Sequence, residues 1–337
     1  LVVAARRNSP LVVGIGAGEN FLASDVAAFV DYTRDALELG QDQVVAMTPT
    51  RVDITDFAGE PVEARPFHVD WDAAAAEKGG YETFMLKEIA EQPKAVADSL
   101  LGRISKDNKV QLDEMNLDEA ILRNIKKVVV IACGTAANAG MVAKYAIEHW
   151  TRLPVEVELA SEFRYRDPVV GPDSLVIAIS QSGETMDTLM ALRYAKSQGS
   201  HTLAICNTVG STIPRESDAV LYTYAGPEIA VASTKAFLTQ IIAAYLVGLY
   251  LAQVRGAMFE DEIRRILAEL DDMPRKVDLV LDTTEPVRAL ARELSTSPSV
   301  LFLGRHVGYP VALEGALKLK EVSYMHAEGF AAGELKH

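Results

Sequence analysis

The densest group of reactive side chains in the sequence is a short polar loop, residues 180–185, which reads Ser-Gln-Ser-Gly-Glu-Thr. It follows an apolar run that predicts a strand over 175–179 and precedes a helical pattern that begins at Met186. Hydroxyls, a glycine and the free N–H groups of a helix N-terminus at the end of a strand are typical of an anion site. No lysine follows the glycine, so the loop is not a nucleotide P-loop and suits a monophosphate. The alternative is an ordinary cap with Ser182 at the N-cap.

Two further polar loops adjoin other predicted strands and helices. Residues 133–136 (Cys-Gly-Thr-Ala) follow the β-branched run Lys127–Ala132, and residues 231–234 (Val-Ala-Ser-Thr) open an apolar helix predicted over 235–252. Each loop alone is more typical of a helix cap than of a ligand site. Because the carboxyl ends of parallel strands meet at one edge of a sheet, the three loops together predict a site for a phosphorylated ligand.

Three charged residues share one stripe of a helix predicted over 310–322. Lys318 and Glu321 are i,i+3 neighbours, and Glu314 lies on the same stripe. A surface ion pair is the usual interpretation of such a pair. Since this helix is apolar on most of its other sides, part of the stripe is expected to be buried. A buried carboxylate beside a lysine is a candidate proton-transfer pair, although the sequence does not decide how deeply it is buried.

An alternation of strands and helices is expected to position these residues. The predicted strands are Lys127–Ala132, Val155–Leu159, 175–179, 202–206 and Ala219–Tyr222, and the helices between and after them are 138–150, Met186–Ser197 and 235–252. Continuously apolar strands alternating with helices predict an α/β domain with a parallel sheet covered on both faces. A similar helix, strand and helix recur over 286–322, which predicts the start of a second copy. Residues 1–72 are strand-rich and predict part of an α+β domain.

Composition narrows the class of protein. The 337 residues carry 33 Lys and Arg against 47 Asp and Glu, a net charge of −14, which disfavours nucleic acid or an anionic membrane as the main partner. No uninterrupted apolar run has the length of a membrane span, because Thr239, Gln240 and Gly248 interrupt the longest. With only Cys133 and Cys206, and with scattered histidines, neither a disulfide framework nor a metal cluster is expected. The sequence is therefore interpreted as a cytoplasmic protein.

The motifs, taken in their order along the chain, resemble the glutamine–fructose-6-phosphate aminotransferase (isomerising) family. The matching segments, all written as they stand here, are 9–16 (SPLVVGIG), 18–25 (GENFLASD), 133–135 (CGT), 160–165 (ASEFRY), 180–185 (SQSGET), 231–235 (VASTK), 313–321 (LEGALKLKE) and 331–337 (AAGELKH). The resemblance therefore covers nearly the whole chain.

The resemblance implies a fold and a division of the chain. It implies a three-layer αβα sugar isomerase (SIS) domain with a parallel sheet, together with part of an N-terminal-nucleophile α+β glutaminase domain. The implied segments are the end of the glutaminase domain over 1–72, a linker and helical lead-in over 73–98, the first SIS domain over 99–272, and the start of a second over 273–337.

The resemblance also implies a reaction and its residues. The family converts fructose 6-phosphate to glucosamine 6-phosphate with ammonia from glutamine, and no cofactor or metal is implied. Glu321 is implied as the base that moves a proton between C1 and C2, with Lys318 supporting it, and His337 as an aid to ring opening in the neighbouring subunit of a homodimer. The implied substrate-binding residues are Cys133, Gly134, Thr135, Ala136, Ser180, Gln181, Ser182, Thr185, Val231 and Ser233.

Two departures from the family pattern matter. Ala136 stands where family members often have serine, so one hydroxyl contact is lost. Residue 1 is Leu in place of the nucleophilic cysteine that opens the family's glutaminase domain, and the lysine that forms an imine with the sugar is expected beyond residue 337. The chain is accordingly predicted to be an excerpt that is inactive alone.

Two other classes of protein share the polar loops. A stand-alone sugar-phosphate isomerase or deglycase would keep the phosphate loop and a base, but residues 1–72 argue against it. A SIS-type sugar-phosphate sensor would usually add a DNA-binding module, and the acidic charge disfavours that class.

Overall fold

The fold is described by a computed structural model of residues 1–7, 11–24, 26–40, 42–69 and 78–336. The chain divides into two compact units, Leu1–Tyr81 and Glu82–His337. His337, and residues 73–77 of the predicted linker, lie outside the described residues.

The first unit contains two antiparallel sheets, as its strand-rich sequence predicts. The strands are β1 (Val2–Arg6), β2 (Val12–Ile15), β3 (Asn20–Ala23), β4 (Asp35–Glu38), β5 (Gln43–Thr48), β6 (Arg51–Asp56) and β7 (Arg65–His68). One sheet has the order β1-β5-β6 and the other β3-β2-β4-β7. Val13 and Leu39 from one sheet and Val45 from the other are fully buried in one shared core. A hydrophobic core between two sheets is what alternating apolar residues on short strands produce.

The second unit is built on a five-stranded parallel sheet. Its strands are β8 (Lys127–Ala132), β9 (Val155–Leu159), β10 (Ser174–Ser180), β11 (His201–Cys206) and β12 (Ala219–Tyr222), in the order β12-β11-β10-β8-β9. The central strand, β10, is buried at every residue. Its neighbours in the sheet are β8 and β11, so the loops that follow β8 and β10 lie side by side at one edge.

Helices cover both faces of this sheet. They are α1 (Phe84–Ala90), α2 (Gln92–Leu100), α3 (Glu119–Asn124), α4 (Gly134–Thr151), α5 (Ala160–Phe163), α6 (Met186–Ser197), α7 (Thr212–Glu216), α8 (Lys235–Arg255) and α9 (Glu260–Asp271). Ile177 and Ile179 of β10 pack into a core with α4 and α8, whereas Val176 and Ala178 pack on the opposite face with α5, α6 and α7. The alternation of side chains along a strand thus gives the predicted three-layer αβα architecture.

Helix α8 is the longest element of the unit. Its 21 residues are apolar enough to cross a membrane by length and composition, but 67% of its most apolar window is buried inside the fold. Leu246, Leu249 and Leu251 belong to the core beside α4. The helix is therefore a core helix that packs on one face of the sheet.

The last elements repeat a strand–helix–strand arrangement. They are α10 (Met273–Leu281), α11 (Thr284–Leu294), β13 (Ser299–Gly304), α12 (Gly308–Ser323) and β14 (His326–Ala331). Strands β13 and β14 pair in parallel, as β8 and β9 do, and α12 connects them. Helix α12 packs against α4, which brings its charged stripe to the sheet edge described above.

Candidate active site

The serine-rich loop, residues 180–185, is held together by hydrogen bonds among its own residues. The hydroxyl of Ser180 accepts the N–H of Gly183 at 3.0 Å and lies 3.2 Å from the hydroxyl of Thr185. The hydroxyl of Ser182 accepts the N–H of Glu184 at 3.2 Å. These short-range bonds fix the loop before any ligand arrives, which is the property that makes a binding site preorganised.

Gly183 is required by the shape of this loop. Its φ of +69° lies in the left-handed region, and a Cβ on it would stand 1.9 Å from the hydroxyl oxygen of Ser211 and 2.8 Å from the sulfur of Cys206. Only glycine fits such a close approach.

The alternative interpretation of the loop, with Ser182 as an ordinary N-cap, is wrong. Helix α6 begins at Met186 with Thr185 at the N-cap, and no side chain caps it. The first N–H groups of the helix therefore have no side-chain cap from this loop.

Helix α4 begins four residues earlier than the sequence predicts, at Gly134 and not at residue 138. The first helical residue has a φ of +55°, which a glycine can adopt, and the N-cap residue, Cys133, makes no side-chain capping bond. The predicted loop 133–136 is thus the first turn of an 18-residue helix. Its uncapped N–H groups and dipole add to those of α6 as a site for an anion.

A cavity of about 160 Å³ lies at this edge of the sheet. It is lined by Cys133, Thr135, Ala136, Ile179, Ser180, Gln181, Ser182, Thr185, Ser233 and Gln240. Eight of these are predicted substrate-binding residues, and Gly134 adjoins them as the first residue of α4. None of the described lining residues is charged, so an anion here would be held by hydroxyls, backbone N–H groups and helix dipoles.

Gln240 lines the cavity but is not among the residues predicted from the sequence. It is 2% exposed, and its side-chain carbonyl oxygen has no hydrogen-bond partner among the described residues. The available signal is a polar residue inside an apolar helix, which also interrupts the longest apolar run.

Besides Gly134, Val231 is the predicted contact that does not line the cavity. It is 98% exposed on the loop that leads into α8, whereas Ser233 on the same loop lines the cavity and donates to Glu228 at 2.8 Å.

The charged stripe of α12 reaches the cavity through Thr135. The ammonium of Lys318 donates to the Thr135 hydroxyl at 2.8 Å and lies 2.6 Å from a carboxylate oxygen of Glu321. The Thr135 hydroxyl in turn donates to Glu314 at 2.9 Å, and the amide of Asn138 donates to the other oxygen of Glu314 at 2.8 Å. One residue of the cavity wall is therefore bonded to both a cation and an anion.

Burial differs among the three charged residues. The side chain of Glu314 is 7% exposed, that of Lys318 18% and that of Glu321 34%. The buried carboxylate beside the lysine is thus Glu314, while Glu321 is partly open to solvent. Lys318 lies 3.5 Å from Glu314 and 2.6 Å from Glu321, so its positive charge offsets one of the two carboxylates and lowers the cost of burying them.

The two cysteines are both free and have different surroundings. Cys206 is buried behind the serine loop, and burial raises the pKa of its thiol to about 11. Cys133 lines the cavity. Among the described residues no group of three or more His, Cys, Asp or Glu is arranged to hold a metal ion.

The parallel sheet, with the serine loop and an uncharged cavity at its edge, is the arrangement of a sugar isomerase (SIS) domain. The SIS domain family model matches residues 121–250. The C-terminal domain of glucosamine–fructose-6-phosphate aminotransferase from Francisella tularensis has a similar structure, with a TM-score of 0.75 and 43% sequence identity over 77% of this chain and 73% of that one.

Closer sequence relatives align with the whole chain. Glutamine–fructose-6-phosphate aminotransferases (isomerizing) from Corynebacterium efficiens and Streptomyces coelicolor are 67% and 68% identical to it over 336 and 337 residues. The chain belongs to the glutamine–fructose-6-phosphate aminotransferase (isomerizing) family. It spans about half the length of these two relatives, 54% and 55%.

Proposed function

We propose that this chain binds fructose 6-phosphate and carries the residues of the isomerising step in a glutamine-dependent synthesis of glucosamine 6-phosphate. The observation that carries the proposal is the uncharged, preorganised cavity at the N-termini of α4 and α6, which lies directly beside the Lys318–Glu321 pair. The relatives are named as aminotransferases of fructose 6-phosphate, which gives the substrate class, and the cavity offers a place for its phosphate.

The phosphate group is placed in the cavity against the serine loop. Ser182 and Thr185 offer hydroxyls, and the first turns of α4 and α6 offer N–H groups. Charge-assisted hydrogen bonds to a dianion are shorter and about twice as strong as neutral ones. No lysine or arginine is among the described lining residues of the cavity. Such a cavity suits the compact phosphate of a monoester, whose sugar must still reach the residues of α12.

The sugar is placed toward α12, where the proton transfer takes place. Glu321 takes the proton from C1 and returns it at C2, and the ammonium of Lys318, 2.6 Å away, orients the carboxylate. Because Lys318 also donates to Thr135, the position of the base is tied to the wall of the phosphate cavity. A fixed distance between phosphate site and base is how a ketose phosphate would be aligned for transfer between adjacent carbons.

The remaining assignments of the family are proposals for this chain. His337 would aid ring opening from the neighbouring subunit of a homodimer, and Val231 and Ser233 would contact the sugar. Residues 1–72 would belong to the glutaminase domain, 73–98 to the linker and helical lead-in, 99–272 to the first SIS domain, and 273–337 to the second. Alignment of the relatives over residues 1–72 as well as the SIS region favours this reading over a stand-alone isomerase. A cytoplasmic location and the use of glutamine follow from the same assignment.

Calorimetric titration with fructose 6-phosphate tests the phosphate site. The variant Ser182→Ala/Thr185→Ala is expected to bind the sugar phosphate about a hundredfold more weakly, because two hydrogen bonds to a charged group are lost at roughly 1.5 kcal/mol each. Inorganic phosphate should compete with the sugar phosphate in the wild type.

Ser197→Ala is the matched control, since Ser197 lies exposed at the last turn of the same helix that the loop precedes. Affinity unchanged by the double substitution, with the fold intact by circular dichroism, would contradict the proposed phosphate site.

A further inference from the structure

The loop between β12 and α8 depends on side chains for its shape. Residues 226–234 form neither helix nor strand, yet Ser233 at their end lines the cavity. Two carboxylates accept N–H groups of this segment. Glu88 accepts those of Ile229 and Ala230, and Glu228 accepts those of Thr234 and Ala236.

Glu88 is the carboxylate that reaches this loop from a distant part of the sequence. It lies on α1, 141 residues before Ile229, and is 2% exposed. A single oxygen accepts both N–H groups, at 2.6 Å from Ile229 and 3.0 Å from Ala230. The second oxygen is buried and has no hydrogen-bond partner among the described residues. The charged groups that act on Glu88 are Glu228 and Lys235, and burial raises its pKa while the two backbone bonds oppose that shift.

A second bond fixes α1 to the far end of the same loop. Lys235, the first residue of α8, is 2% exposed and donates to Glu91 at 2.7 Å. Glu88 and Glu91 therefore hold the loop at residues 229–230 and at residue 235. The segment between these two attachments contains Val231 and Ser233.

A buried carboxylate with one unsatisfied oxygen is costly to the fold by itself, because an unpaired buried acceptor loses its hydration. The presence of Glu88 is therefore explained more simply by the loop residues that it positions, Ile229 and Ala230, than by a contribution to stability. Only two residues lie between Ala230 and Ser233, too few for the loop to move at one end without moving the other.

We propose that Glu88 is a positioning residue that holds loop 226–234 in the conformation that presents Ser233 to the sugar. The inference rests on the proposed function, since it assigns this loop to the sugar and the serine loop to the phosphate. Loss of Glu88 should then weaken binding of a sugar phosphate and leave binding of phosphate alone unchanged.

The test compares two ligands on three proteins. Fructose 6-phosphate and inorganic phosphate are titrated by calorimetry into the wild type, Glu88→Ala and Glu88→Gln. Glu88→Ala is expected to raise the Kd for fructose 6-phosphate about tenfold and to change that for inorganic phosphate less than twofold. Glu88→Gln should restore most of the affinity, because its amide oxygen still accepts the two N–H groups. Hydrogen exchange at Ile229 and Ala230 should be faster in Glu88→Ala only.

Glu293→Ala is the matched control, because Glu293 is an exposed carboxylate on α11. If Glu88→Ala does not fold, Glu88→Asp replaces it in the same titrations. The aspartate keeps the charge, but its side chain is one methylene shorter and does not reach both N–H groups. Equal weakening of both ligands, or unchanged affinity for the sugar phosphate, would overturn the inference. Absence of fructose 6-phosphate binding by the wild type would instead contradict the proposed function.

Discussion

The serine loop and the charged stripe of α12 are adjacent, yet they are built in opposite ways. Inside the loop, hydrogen bonds join residues two to five positions apart, and its one charged residue, Glu184, accepts the N–H and the hydroxyl of Thr212, 28 positions away. The stripe holds three charges, and its bonds to α4 join residues 176 to 183 positions apart. Part of the loop's shape is therefore fixed by its own residues, whereas the three charges of the stripe meet Thr135 only because α12 packs on α4. Substitutions in the stripe should accordingly affect the proposed proton transfer and the packing of α12 more than the shape of the loop.

The largest effect expected from breaking the stripe is on catalysis. Glu321→Gln should lower glucosamine 6-phosphate formation by the full-length enzyme about a thousandfold, within the range of 10²–10⁴ typical of a lost general base. The Kd for fructose 6-phosphate should change little, because the phosphate cavity is untouched. Steady-state kinetics together with calorimetry measures both quantities.

Glu328→Gln serves as a control for this prediction, since Glu328 lies on β14 and contacts His326 at the surface. An enzyme with Glu321→Gln that keeps its turnover would show that the proton is moved by another group.

The next largest effect is expected on stability. Glu314→Ala removes the buried acceptor of Thr135 and Asn138 and leaves Lys318 with one fewer carboxylate, so the free energy of unfolding should fall by about 3 kcal/mol. Urea unfolding followed by circular dichroism measures the change. The same substitution should change inorganic phosphate binding less than Ser182→Ala/Thr185→Ala does, because the hydrogen bonds inside the serine loop remain.

A double-mutant cycle with Lys318→Met tests whether the lost stability comes from this interaction. The cost of Lys318→Met should be smaller in the Glu314→Ala background than in the wild type, because its buried partner is already absent. Additive costs would mean that Glu314 and Lys318 do not stabilise each other.

The smallest effect concerns the two cysteines on either side of the loop. A thiol reagent at pH 8 should modify Cys133 first, and fructose 6-phosphate should slow the reaction, whereas Cys206 should react only on unfolding. The pKa of Cys206 is raised from 9.0 to about 11, so the folded protein keeps a proton that the unfolded chain loses as the pH rises over that interval. The free energy of unfolding should therefore decrease between pH 9 and 11.

Cys206→Ala should remove this part of the alkaline loss when its unfolding curves are compared with those of the wild type. Identical pH dependence in the two proteins would show that Cys206 stays protonated or ionised alike in both states.

The continuous apolar strands and the helix that follows the serine loop could be predicted from sequence. The bounds of β8, β9, β12 and α6 agree with the predicted ones, because unbroken β-branched runs and a helical period are local signals. The start of α4 was missed because Gly134 ordinarily indicates a turn, and here its left-handed φ opens the helix. Strand β14 gave no clear signal, since Glu328 and Gly329 interrupt its apolar residues.

Part of the site could also be predicted, because local motifs in the sequence contain many of its residues. The cavity wall is made largely of residues in short motifs, so most of it was recognised. The burial of Glu314 depends on Asn138 and Thr135 of α4, which no local pattern joins to α12. The support of loop 226–234 by Glu88 is equally non-local.

The single proton of the Thr135 hydroxyl limits which hydrogen bonds the site can form at one time. A hydroxyl carries one proton and can donate it to one acceptor at a time. In the described arrangement that proton points to Glu314, while Lys318 donates to the oxygen. A phosphate that draws the proton of Thr135 toward itself must take it away from Glu314, whose released oxygen then attracts Lys318 more strongly. Under the proposed function, the rotation of a single O–H bond would then couple occupation of the cavity to Lys318, the neighbour of the proposed base.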